Sequence, residues 1–170
     1  HNNLANSLTA MWKNPGMFMH KKDIDKVIYH YMKAIQLRPE FTAAHFNLGL
    51  IFAKWSHLDQ APERATLHLK EAIRLNPNFI GAHLALGNIF IQTNKFEMAK
   101  YHFKTIIQLN PNSFAAHNGL GSALGEQGNL EQAIVHFNIS KKINPDYAEA
   151  YQNLGTALSL LGKREESEYH

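Results

Sequence analysis

Apolar residues along this chain recur three and four places apart, the spacing that puts side chains on one face of a helix. One set of stripes runs through Leu48 and Phe52, Leu86 and Phe90, Leu120 and Leu124, and Leu154 and Leu158. A second set runs through Val27 and Tyr31, Ala65 and Leu69, Ala99 and Phe103, and Ala133 and Phe137. Proline punctuates the pattern. Pro39, Pro77, Pro111 and Pro145 each follow a Leu or Ile by two residues, at spacings of 38, 34 and 34. Proline and the restricted residue before it end a helix. First helices are therefore expected at 3–12, 42–55, 80–93, 114–127 and 148–161. Second helices are expected at 22–37, 60–75, 96–109, 130–143 and from 163 onward. Asp59 is the expected N-cap of the helix that carries Pro62 in its first turn.

Small residues keep the same register. Gly49, Gly87, Gly121 and Gly155 fall within the apolar stripe of the first helices. A mid-helix glycine costs about 1 kcal/mol relative to alanine, so its recurrence points to close approach of a neighbouring helix. Ala44, Ala82, Ala116 and Ala150, with Ala65, Ala99 and Ala133, recur in the same way. One helix pair cannot bury such a stripe alone, so successive pairs are expected to stack.

A 34-residue helix-turn-helix unit with W-x2-L-G-x2-Y, then A-x3-F, then P is the tetratricopeptide pattern. The chain resembles that family in three complete units. They read His45-x2-Leu48-Gly49-x2-Phe52 to Pro77, His83-x2-Leu86-Gly87-x2-Phe90 to Pro111, and His117-x2-Leu120-Gly121-x2-Leu124 to Pro145. A fourth opens with Tyr151-x2-Leu154-Gly155-x2-Leu158, and an earlier one survives as Val27-x3-Tyr31 before Pro39. The resemblance implies an all-α fold, a right-handed superhelix of about five helix pairs, the first irregular and the last truncated. Its units run over 3–41, 42–79, 80–113, 114–147 and 148–170. Two joints depart from the pattern. Four extra residues fall within Trp55–Glu63, and an unusual link surrounds Asn14-Pro15-Gly16 before Met17-Phe18-Met19. Trp55 and that Met-Phe-Met run are candidate partner contacts. The last unit lacks the polar capping helix that family arrays carry, so a piece of a longer protein is expected, or an end face covered by another chain.

Composition narrows the chemistry. With 45% hydrophobic and 18% charged residues the chain is of a globular class. No apolar run is long enough to span a membrane. No secretory signal is visible, although the chain opens on His1. The absence of cysteine removes disulfides, thiolate metal sites and cysteine nucleophiles, and suits cytoplasm and periplasm alike, with the cytoplasm slightly favoured. A net charge of +3 does not point to nucleic acid. The charge is unevenly spread: residues 1–104 hold 13 Lys/Arg against 7 Asp/Glu, and residues 105–170 hold 4 against 7. No P-loop, G-x-S-x-G or dinucleotide glycine motif occurs. No enzymatic activity, cofactor or metal is expected.

Seven of the 11 histidines obey the repeat. His45, His83 and His117 take the slot where the family has Trp, and His30, His68, His102 and His136 share a slot on the second helices. Same-slot histidines of successive units are too far apart to share an ion. Repeated packing residues are the reading here, with lower stability in acid as the corollary if the rings are buried neutral.

The resemblance also implies a concave groove lined by the first helices. Counting places within each unit gives Phe46, Leu50 and Lys54, then Leu84, Asn88 and Ile91, then Asn118 and Ser122, then Gln152 and Thr156 as partner-binding residues. This lining is nearly uncharged. Phe46, Leu84, Ala85 and Gly119 stand where family members that clamp acidic tails need basic residues, which argues against that specificity. A protein-interaction scaffold that holds an extended peptide or amphipathic helix is the expected function, with apolar anchors at Phe46, Leu50, Leu84 and Ile91. Amides at Asn88, Asn118 and Gln152 are expected to bond its backbone. Two alternatives stand beside it. One is self-association through uncapped ends. The other is the substrate-recruiting arm of a larger enzyme such as a glycosyltransferase, whose asparagine ladder Asn47 and Asn153 resemble in part.

Overall fold

The apolar stripes settle into helices close to those expected. The computed structural model describes residues 21–55 and 60–168, with side chains over 23–55 and 60–162. All regular structure among the described residues is helical. The order is α1 (Lys21–Leu37), α2 (Thr42–Lys54), α3 (Ala61–Leu75), α4 (Ile80–Gln92), α5 (Phe96–Leu109), α6 (Phe114–Glu126), α7 (Leu130–Ile143) and α8 (Ala148–Glu168). The expected helix at 3–12, the Asn14–Met19 link and Asp59 lie outside the described residues. No described helix is long and apolar enough to cross a membrane. The chain divides into two compact units, residues 1–82 and 83–170.

In the first unit α2 packs between α1 and α3. Val27 and Tyr31 of α1, Leu48 and Phe52 of α2, and Ala65 and Leu69 of α3 are all buried. The recurrent glycine acts as its register suggests. A methyl group at Gly49 would lie 2.6 Å from Leu69 Cγ. The connection from α2 to α3 spans residues 55–60, where the later pairs use 93–95 and 127–129. Most of the four extra residues therefore fall between α2 and α3. Gln60 stands at the N-cap position of α3. It adopts φ 50 and ψ 34 without a side-chain cap bond, and Pro62 supplies the preset first turn.

In the second unit α6 packs on α5, α7 and α8, and α7 on α8. Leu86, Phe103, Ile106, Ala116, Leu120, Ala133, Phe137 and Ala150 form its core. Ser140 is fully buried there, and its hydroxyl donates to Phe114 O at 2.9 Å. The Asn-Pro joints repeat one geometry. Asn110 and Asn144 are extended at the helix C-caps, and their side-chain oxygens accept from the N–H of Asn112 and Asp146 at 3.2 Å. The turn from α6 to α7 needs φ +79, and Gly128 supplies it.

The expected break at about 163 does not form, and α8 runs unbroken through Gly162 to Glu168. Lys163, Arg164, Glu165, Glu166, Ser167 and Glu168 are all polar, so this stretch by itself supplies no apolar stripe. Extending an existing helix avoids the unfavourable nucleation of a new one. Among the described residues, a methyl group at Gly155 would meet nothing within 4 Å.

Candidate functional site

The second unit holds an open cavity of about 330 Å3 along the faces that α4 and α6 share. Leu84, Asn88, Ile91 and Gln92 line it from α4, and Ala115, Asn118, Gly119 and Ser122 from α6. Tyr147 and Glu149 complete it where α8 begins. Helical spacing produces this arrangement, since Leu84, Asn88 and Ile91 lie four and three residues apart on one face. Gly119 keeps the floor thin, because a methyl group there would lie 2.4 Å from the Phe103 ring.

Polar side chains in this cavity form a connected network. Asn118 is almost fully buried, and its Nδ2 donates to Glu149 Oε1 at 3.0 Å. The Tyr147 hydroxyl donates to Glu149 Oε2 at 2.6 Å. Asn153 Nδ2 donates to Asn118 Oδ1 at 3.0 Å and to Ser122 Oγ at 3.3 Å. The Ser122 hydroxyl in turn donates to Asn118 O at 3.0 Å. Phe114 meets the Tyr147 ring edge-on at 4.9 Å and positions the phenol. Burial, and then the bond to Glu149, push the Tyr147 hydroxyl up to about 12, so it stays a donor at neutral pH. Glu149 itself is exposed and is the one charged residue lining this cavity. Among the described residues no lysine or arginine forms a salt bridge with it.

A smaller cavity of about 200 Å3 lies beside it. Ser122, Gly125 and Glu126 of α6, Leu130 and Phe137 of α7, and Asn153, Thr156, Ala157 and Leu160 of α8 line it. Glu126 is again the one charged lining residue.

The structure thus brings Leu84, Asn88, Ile91, Asn118 and Ser122 to one cavity and Ser122 and Thr156 to the next. Gln152 is exposed and lines neither. In the first unit, the Phe46 ring packs at 4.5 Å against Phe79 and is used within its own unit. Leu50 is half-buried, and Lys54 is exposed with its ammonium 5.9 Å from the Trp55 ring centroid. The Asn118 amide, expected to bond a partner backbone, donates one N–H to Glu149 and accepts from Asn153. Tyr147 is not singled out by the sequence pattern. It precedes α8 in a turn, where the helical pattern carries no signal, and only its place two residues before Glu149 hints at a pairing.

The histidines form a second arrangement that the repeat register does not reveal. Each slot on a first helix meets the slot on the second helix of the same pair. Nδ1 to Nδ1 distances are 3.2 Å for His45 and His68, 2.9 Å for His83 and His102, and 3.1 Å for His117 and His136. The reading by slot compares successive units and misses these contacts within one unit. No three His, Asp or Glu side chains converge as a metal site among the described residues.

Three family models match, described as tetratricopeptide or TPR repeats, over residues 80–113, 102–135 and 121–162. Comparison with curated proteins gives no match. Among solved structures, a crystal structure of MamA is 24% identical with a TM-score of 0.74, covering 90% of this chain and 91% of that chain. YrrB, described as a TPR protein with an unusual peptide-binding site, is 20% identical with a TM-score of 0.72, covering 96% of this chain and 77% of that chain. The first TPR of Spaghetti (RPAP3), bound to the HSP90 peptide SRMEEVD, is 16% identical with a TM-score of 0.65, covering 71% of this chain and 93% of that chain. The helix-pair fold, the 34-residue register and these matches agree: through residues 80–162 the chain belongs to the tetratricopeptide repeat family.

Proposed function

We propose that this chain is a non-catalytic interaction scaffold whose second unit holds a segment of a partner protein along α4, α6 and the start of α8. The carrying observation is the open cavity that joins the apolar side chains of Leu84 and Ile91 to amide and hydroxyl groups. Apolar walls with a few convergent polar groups are the usual make-up of a recognition site. An extended segment or an amphipathic helix places its anchors on such a surface at regular spacing. The peptide-binding site described for YrrB and the peptide bound to the Spaghetti domain lend the reading further support. Of the expected anchors, this reading uses Leu84 and Ile91, which line the second unit's cavity; Phe46 and Leu50 belong to the first unit.

The test is a random dodecapeptide phage library selected on the folded chain, with the selected peptides then measured on Leu84→Asp. A carboxylate at this half-buried position is expected to remove binding while the helical circular dichroism and the melting temperature stay close to wild type. Peptides that bind Leu84→Asp as they bind the wild type refute the assignment.

A further inference from the structure

The cavity has an electrostatic character beyond its shape. Glu149 is the one charged residue in it and Glu126 the one in its neighbour, and both are carboxylates. A glutamate in the first turn of a helix is favoured by the helix dipole alone. The dipole does not require what surrounds Glu149. A buried amide, Asn118, holds one oxygen, and the Tyr147 hydroxyl holds the other. An ionised carboxylate has about four acceptor positions, so the two donors fix its plane and leave acceptor capacity on both oxygens. Asn118 is itself fixed by Asn153. This is a preset anion, without a lysine or arginine partner among the described residues, at the rim of a surface that mixes polar groups with Leu84 and Ile91.

We propose that the Glu149 carboxylate receives a lysine or arginine side chain of the partner segment, while an apolar residue next to that base sits on Leu84 and Ile91. The proposal rests on the groove assignment and names the chemistry of its occupant. Charge complementarity selects the occupant: a basic side chain neutralises Glu149, and an acidic one would face two carboxylates with no basic lining residue. An arginine gains most, because its planar fork matches a carboxylate held by both oxygens.

The same dodecapeptide selection tests it. Selected peptides are expected to be enriched in Arg or Lys beside Leu, Ile, Val or Phe. They should bind Glu149→Gln about 2- to 5-fold more weakly at low salt, the range of an exposed ion pair. That gap should close at roughly 1 M salt, where the screening length falls to about 3 Å. Glu149→Asp keeps the charge and is expected to keep the basic preference, which separates loss of charge from loss of fold. Peptides without a basic bias, or equal binding by Glu149→Gln, overturn the charge inference; if Leu84→Asp still removes binding, the groove assignment survives. Binding untouched by Leu84→Asp, or no enriched peptide at all, removes both.

Discussion

His45 and His68 face each other through Nδ1 atoms 3.2 Å apart, while His45 Nε2 lies 3.1 Å from Pro39 O. The carbonyl can only accept, so His45 carries its proton on Nε2 and accepts at Nδ1 from His68. His117 repeats this arrangement, with Nε2 at 3.1 Å from Pro111 O and Nδ1 at 3.1 Å from His136. Each pair is satisfied when both rings are neutral. With both rings protonated, the two Nδ1–H groups would point at each other.

Acid should therefore weaken the fold. Burial, then His45 and Arg64, lower His68 to about 4. Burial, then His117 and Lys104, lower His136. Glu71 is the carboxylate near His45, but it is itself tied to Arg74 through bonds of 2.8 to 3.0 Å. Below the ordinary histidine value near 6.5 the unfolded chain binds protons that the folded chain refuses. The contribution of His68 is complete above about 6.5 and is lost progressively as pH falls from there to about 4. After allowance for solvent screening at this half-buried ring, the loss is about 1–2 kcal/mol. Urea unfolding between roughly pH 7.5 and 5 should show a falling midpoint, and His68→Gln should flatten the fall. A midpoint that does not move with pH contradicts the pairing.

The recurrent glycines are not equivalent. A methyl group at Gly121 would lie 2.7 Å from the Phe137 ring, whereas at Gly155 it would meet nothing within 4 Å. Gly121→Ala should destabilise by about 1–3 kcal/mol through overpacking. Gly155→Ala should stabilise by about 0.5–1 kcal/mol, because alanine loses less backbone freedom in a helix. Denaturant midpoints of the two variants should move in opposite directions.

Much of the fold was legible because the 34-residue register names the core directly. Leu48, Leu86, Leu120 and Leu154 are all buried, as are Ala44, Ala82, Ala116 and Ala150. Leu84, Asn88, Ile91, Asn118 and Ser122, places that the family resemblance implies, share a cavity because equivalent places on neighbouring first helices face one way. Cross-pair geometry was less accessible. His45 and His68 are 23 residues apart, and His83 and His102 are 19 apart, so no single-helix period connects them. The repeat phase predicts a turn at Gly162, where the preceding unit has Gly128. The helix instead continues through Gly162 to Glu168, a stretch whose residues after Gly162 are all polar.

The Tyr147 phenol offers a direct probe of the Glu149 contact. Burial comes first and the bond to Glu149 second in raising it to about 12. In Glu149→Gln the nearby negative charge disappears and the burial remains. Titration of Tyr147 by carbon-13 NMR at the ring carbon bearing oxygen should move part of the way back towards the ordinary value near 10. An unchanged titration would mean that the 2.6 Å contact does not persist in solution.

Asn118 holds the polar network together and gives the last test. It donates to Glu149, accepts from Asn153 and is almost fully buried. Asn118→Ala removes both bonds and leaves Asn153 Nδ2 only its 3.3 Å contact with Ser122. An unmade buried hydrogen bond costs about 1–3 kcal/mol, so the variant should unfold at a correspondingly lower denaturant midpoint. Combining it with Asn153→Ala separates the two bonds. If Asn118 and Asn153 act through each other, the double variant should lose less than the two single losses together, with a coupling of about 0.5–3 kcal/mol. Additive losses would show two independent contacts, with Glu149 held by Asn118 without help from Asn153.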